Sequence, residues 1–174
     1  MIRDDSVVER LARMRKDFDD RFTRPIVVDS SDRLELIAVR AQQERYAIAV
    51  SQISAVLPSQ PVAHVPVSLP GFVGLGAVQG RLVAVYDLGV LLARKGAPTP
   101  RRWLLICRAD PEVAFGIDDV DGYLRVAKRS IVVAPPSATS EGHAGKIVED
   151  GGVARPIVDL ESALAELRRN LGGT

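Results

Sequence analysis

Cysteine occurs once in the 174 residues, at Cys107, so the chain cannot form an internal disulfide or a cysteine-built metal site. It sits in the apolar run Trp-Leu-Leu-Ile-Cys, where a small buried thiol is the ordinary reading. Histidine occurs twice. His64 lies between proline-flanked valines and His143 in a polar stretch, and neither stands at ligand spacing from a carboxylate, the cysteine or the other histidine. An excess of one charge is missing too: 23 basic and 22 acidic residues leave +1, no field for steering onto nucleic acid or an anionic membrane. With 5% aromatic residues, stacking platforms for single strands are few. No apolar run approaches the roughly 18 residues of a membrane span. The amino terminus is charged from Arg3 onward, which speaks against a signal peptide, and a cytoplasmic address is the expectation.

Glycine and apolar residues are present in quantity, and their order carries the information. In GLGAVQGRLVAVYDL, Gly74, Gly76 and Gly80 resemble a phosphate cradle by spacing alone. A cradle must open a helix, whose free N–H groups hold the phosphate. Here Leu82-Val83-Ala84-Val85-Tyr86 follows, a strand, so Gly80 reads as a tight turn with positive φ. From residue 34 onward the pattern is one of short strands and brief loops, at 34–39, 46–50, 53–57, 82–86, 103–107, 113–117, 124–126, 131–133, 147–148 and 155–158. Residues 96–100 and 134–145 read as linkers. Before the strands, residues 6–22 place Val8, Leu11, Met14, Arg15, Phe18 and Phe22 near one face at helical spacing, an amphipathic helix that Pro25 ends.

A repeat underlies the strands. GRLVAVYDLGVLLA, from Gly80, aligns without gaps on GVARPIVDLESALA, from Gly152, 72 residues later. Each copy reads as turn glycine, strand, aspartate and short apolar helix, which implies two similar β units. Asp87 and Asp159 fit N-caps, whose carboxylates accept free N–H groups of the first helical turn. No Gly-x-Ser-x-Gly elbow occurs, and Asp118-Asp119-Val120-Asp121-Gly122 lacks the oxygen pattern of a calcium loop. The chain reads as a binding module.

Val65-Pro66, then Leu69-Pro70-Gly71-Phe72-Val73-Gly74, then Gln79-Gly80 and the strand to Asp87-Leu88, followed by Phe115-Gly116-Ile117-Asp118-Asp119-Val120, resemble the CheW-like family of chemotaxis coupling proteins. The resemblance covers residues 34–166. It implies a mainly β fold of two interlocked SH3-like five-stranded barrels with short helices after the repeated strands. The helical extension, 1–24, lies outside it. The domain is expected over 34–174, the first barrel over 44–95 and the second over 101–166 with the strand at 34–40. By the same resemblance the protein is no enzyme and needs no cofactor or metal. It is an adaptor joining the cytoplasmic tips of chemoreceptors to the regulatory domain of a CheA-type histidine kinase, with other CheW-like domains as further partners, and without nucleic acid or membrane insertion.

Partner contacts are expected at Ala55, Val56, Leu57, Gln79 and Gly80, and structural roles at Gly74, Asp87, Gly152 and Asp159. Three positions depart from the family's pattern. Gln79 stands for an arginine, Ala55 for a glutamate and Ala84 for a proline that the second copy keeps as Pro156. The first two delete charged contacts, each worth about 1.5–3 kcal/mol. Two alternatives follow: a divergent scaffold that binds another partner through its amino-terminal helix, and a ligand-binding or enzymatic barrel using His64 with Asp87 or Asp118.

Overall fold

The run Trp103–Cys107 is apolar at every position, and only a strand buried on both faces requires that. The computed structural model, which describes residues 32–92, 100–109, 112–133 and 145–172, shows what covers the two faces. Twelve strands are found among the described residues: β1 (Arg33–Ala41), β2 (Glu44–Ala49), β3 (Ile53–Pro58), β4 (Val62–Ala63), β5 (Phe72–Val78), β6 (Arg81–Asp87), β7 (Trp103–Cys107), β8 (Val113–Ile117), β9 (Asp119–Ala127), β10 (Ile131–Val133), β11 (Lys146–Asp150) and β12 (Val153–Val158). Helix α1 (Leu88–Leu91) follows β6 and helix α2 (Leu160–Gly172) follows β12. The helix expected over residues 6–22 falls outside the described residues. None of the described helices is long and apolar enough to cross a membrane.

The strands form two six-stranded sheets. One, ordered β3-β7-β8-β6-β5-β4, uses an uninterrupted stretch of chain, and is called the continuous sheet below. The other, β10-β11-β12-β2-β1-β9, joins the first two strands to the last four, and is the split sheet. All neighbours are antiparallel except β6 with β8 and β12 with β2. The two exceptions occupy equivalent places. If β1–β6 is one copy of the repeat and β7–β12 the other, each copy lends its opening hairpin to the sheet of its partner copy.

This exchange differs from the division at 44–95 and 101–166. β2 pairs into the split sheet, through Ala47 with Ile157, while β7 and β8 pair into the continuous one, through Trp103 with Pro58 and Phe115 with Tyr86. The parallel partner of β2 is remote in sequence, so no local pattern reveals it. Each sheet also holds six strands rather than five, because short β4 and β10 pair at the edges.

Burial follows from the exchange. Val83 and Val85 of β6, Leu104 and Ile106 of β7, Ala114 of β8 and Val78 of β5 form a cluster drawn wholly from the continuous sheet, which therefore curls around its own interior. Leu36, Ala47 and Val148 do the same for the split sheet. A third and larger cluster lies between them. Tyr46 and Ile48 of β2, Leu105 and Cys107 of β7, Phe115 and Ile117 of β8, with Leu88, Leu160 and Leu164 from the helices, meet there. Leu104 and Ile106 thus face one core and Leu105 and Cys107 the other. Burial pushes the Cys107 thiol up to about 12, so it carries no thiolate chemistry at neutral pH.

Candidate functional site

Strand alternation separates the three neighbours on β3. Ala55 and Leu57 pack on the interior of the continuous sheet and Val56 on the core between the sheets. All three are half-buried, at an edge of that sheet, with Ala55 opposite Ile106 and Leu57 opposite Leu104. Gln79 and Gly80 form the two-residue turn between β5 and β6, exposed, with φ of +49° and +79°. Positive φ at both positions matches the right-handed twist of the flanking strands. Val78, just before this turn, belongs to the cluster on which Ala55 and Leu57 pack. The turn and β3 therefore enclose one interior, with β7 and β8 standing between β3 and β6 in the sheet. Beside the turn Leu82 is 76% exposed, opposite exposed Ala77. The sequence marks Leu82 only as a strand residue; alternation with buried Val83 and Val85 turns it outward.

The second copy repeats the turn at Gly151 and Gly152, with φ of +57° and +77°. Gly74 has another role. Its φ is +148°, it sits at a bulge where β5 shifts register against β6, and a Cβ placed there would run into the Ala63 carbonyl of β4. Here glycine permits close approach of two backbones.

Both aspartates sit at helix starts. Asp87 Oδ1 accepts the Val90 N–H at 3.2 Å and its Oδ2 receives Arg101 Nη1 at 3.2 Å. Asp159 Oδ1 accepts the Glu161 N–H at 3.1 Å and Gln52 Nε2 at 2.8 Å, and Oδ2 accepts the Ser162 hydroxyl at 2.7 Å. Gln52 also accepts the Leu160 N–H, so the turn between β2 and β3 is tied to the start of α2. Burial acts to raise the Asp159 pKa, but the hydrogen bonds from Ser162, Gln52 and Glu161 prevail and hold it below the ordinary carboxylate range.

A prediction about acid stability follows from that direction. The unfolded chain takes up this proton near pH 3.8, while the folded chain keeps the carboxylate charged to lower pH. The stabilisation is thus complete above the unfolded value and lost as pH falls through the folded one. Asp159→Ala should cost about 1–2 kcal/mol at neutral pH in urea unfolding. Its deficit should shrink across the acid limb; a deficit that is the same at every pH would show that the carboxylate charge contributes nothing.

Two of the clefts are lined by described residues. One, of about 810 Å³, has an apolar floor that includes Leu34, Ala49, Ile131 and Ile157 and a rim with Lys128, Lys146, Asp159 and Glu161. The other, of about 390 Å³, is polar and lined by Arg40, Gln43, Arg102, Asp118 and Asp119. Neither is lined by His64 or Asp87, and His64 is exposed in the loop after β4. The geometry therefore does not join His64 to Asp87 or Asp118 in either of these clefts. Among the described residues no group of three His, Cys, Asp or Glu side chains is placed to hold a metal ion.

The sequence reading also missed a charged network. Arg40 donates to Asp121 at 2.8 Å and to Asp119 at 3.0 Å, and Arg155 Nη2 lies 3.8 Å from Asp121. Asp121 occupies the bulge of β9 against β1, between residues paired with Val39 and Ala38. The available signal was the repeat itself, which aligns Arg155 with Val83.

Residues 35–168 match the model of a protein family described as CheW-like domain. Among solved structures, the chain is similar to the scaffolding protein TtCheW from Thermoanaerobacter tengcongensis, with a TM-score of 0.66 and 14% identity over 72% of this chain and 88% of that one. At this identity the likeness is one of fold. Comparison with curated proteins gives no match.

Proposed function

Because the chain belongs to the CheW-like domain family, whose members are non-catalytic scaffold adaptors, we propose that it couples chemoreceptor tips to the regulatory domain of a CheA-type histidine kinase in a cytoplasmic signalling array. The observation that carries this reading is the family match over residues 35–168. As the contact wall we assign the exposed Gln79-Gly80 turn and outward Leu82 of the continuous sheet, with its half-buried edge strand bearing Ala55, Val56 and Leu57. It offers apolar area and backbone and little charge. Arg81 follows the turn, 3.6 Å from Glu112 and largely solvated, and Arg108 donates to the Ile53 carbonyl of β3 at 3.1 Å. Contacts of this kind suit interfaces of about 800 Å² per partner or less, the size of transient assemblies.

Calorimetric titration with the kinase regulatory domain tests the proposal. Association at about ten micromolar or tighter is expected; none at several times that concentration counts against it. Gln79→Arg restores the family's cation on the turn without changing its backbone cost, since both residues meet the same penalty at positive φ. The variant should bind about tenfold tighter at unchanged stability. Unchanged affinity would remove the turn from the interface. A chain lacking residues 1–24 should bind as well as the full chain. Loss of binding on that deletion, with the β fold intact, would assign the contact to the amino-terminal segment.

A further inference from the structure

The two sheets are not equally well packed inside. The continuous sheet encloses six buried apolar residues, Val83 among them at 1% exposure. Its counterpart in the split sheet is Arg155, 7% exposed, paired across to Val148 on the same face as the interior cluster. That cluster has only three fully buried members. Nε and Nη1 of Arg155 are enclosed and have no hydrogen-bond partner among the described residues. Its ionic partner, Asp121, stands at 3.8 Å and already receives Arg40 at 2.8 Å. A buried guanidinium with two unmet donors is costly and regains its hydration once water reaches it. At the edge of the same sheet β10 has three residues, with Val132 and Val133 65% and 76% exposed.

We infer that the split sheet is a two-state element in which the β10–β11 pair parts from β12 far more readily than β5 parts from β6. The register locates the seam. Val148 of β11 faces Arg155 of β12, so separating these strands admits water to the orphan donors while giving up the burial of Val148. The gain offsets the lost burial of Val148, so that, with a backbone ladder to break in either hairpin, opening costs less here than between β5 and β6. No such compensation exists in the continuous sheet, where Val83 would gain nothing from water. Opening also frees the backbone edge of β12, an edge on which another strand can pair. This inference does not depend on the partner proposed above.

Native-state hydrogen exchange on the full chain tests it. Paired amides of β11 and β12 should exchange at least about tenfold faster than those of β5 and β6, as expected for an opening below the global unfolding free energy. Arg155→Val, which installs the residue of the first copy, should slow exchange in β11 and β12 about tenfold and leave β5 and β6 unchanged. Arg155→Met, which keeps the apolar stem and volume, should act in the same direction. Equal protection of the two hairpins in the native chain overturns the inference. So does faster or unchanged exchange of β11 and β12 in folded Arg155→Val or Arg155→Met protein.

Discussion

Gly74→Ala should lose about 4 kcal/mol of unfolding free energy, one of the two largest single effects expected in this chain. Two independent penalties meet at this position. The φ of +148° is a conformation that alanine tolerates poorly, and the new Cβ would overlap the Ala63 carbonyl, a backbone group that cannot rotate away. Relief requires β4 to move from β5, which breaks the pairing of Ala63 with Leu75 and Val62 with Gly76 and exposes the interior that Val62 helps to cover. Gly80→Ala provides the control. Gly80 has a similar need for positive φ, +79°, but an added Cβ meets nothing within 4 Å, so only the conformational cost of about 1 kcal/mol remains. Urea unfolding of both variants separates the terms. Equal losses would mean that β4 yields freely and that its approach to β5 is not part of the stability of the wall.

The second large effect is at Asp121. Its carboxylate is the anion shared by Arg40 and Arg155, and Asp121→Asn leaves Arg155 enclosed with no ionic partner among the described residues. A cation so isolated costs about 3 kcal/mol, less than the full buried-pair range because the Asp121 side chain keeps 19% of its exposure. Arg40 retains Asp119 at 3.0 Å and contributes little to the loss. The sign reverses for the other partner. Arg155→Val removes the buried charge together with its unmet donors, while Asp121 keeps Arg40, and should be neutral or stabilising. In the double variant most of the Asp121→Asn deficit should disappear, a coupling that a double-mutant cycle reads directly. If Asp121→Asn costs the same in the presence and absence of Arg155, the two groups do not interact.

Much of this architecture is written locally. The strands at 103–107, 113–117 and 131–133 coincide with β7, β8 and β10, because uninterrupted apolar runs between polar turns leave few other conformations. β5 escapes the reading. Its glycines resemble a phosphate cradle by spacing and mark no strand, whereas Gly74 and Gly76 are strand residues that let β4 lie close. β9 begins five residues before the expected strand at 124–126, since Asp119 and Asp121 look like loop residues until Arg40 is seen beside them. Within the proposed binding wall, the turn at Gln79 and Gly80 was legible as a turn. The outward face of Leu82 and the division of Ala55, Val56 and Leu57 between two cores depend on partners elsewhere in the chain.

The sequence by itself determined a mainly β chain made of two copies of one unit, each with a glycine turn, a strand and an aspartate-capped helix, because turn chemistry, strand periodicity and capping act over a few residues. Tertiary structure alone decided that the copies exchange their opening hairpins. Ala47 meets Ile157 and Tyr86 meets Phe115 by parallel pairing across long stretches of chain, and a hairpin that is apolar on both faces fits either sheet until both cores close around it. It also decided that Arg155, a polar residue in an otherwise apolar strand, points inward rather than out.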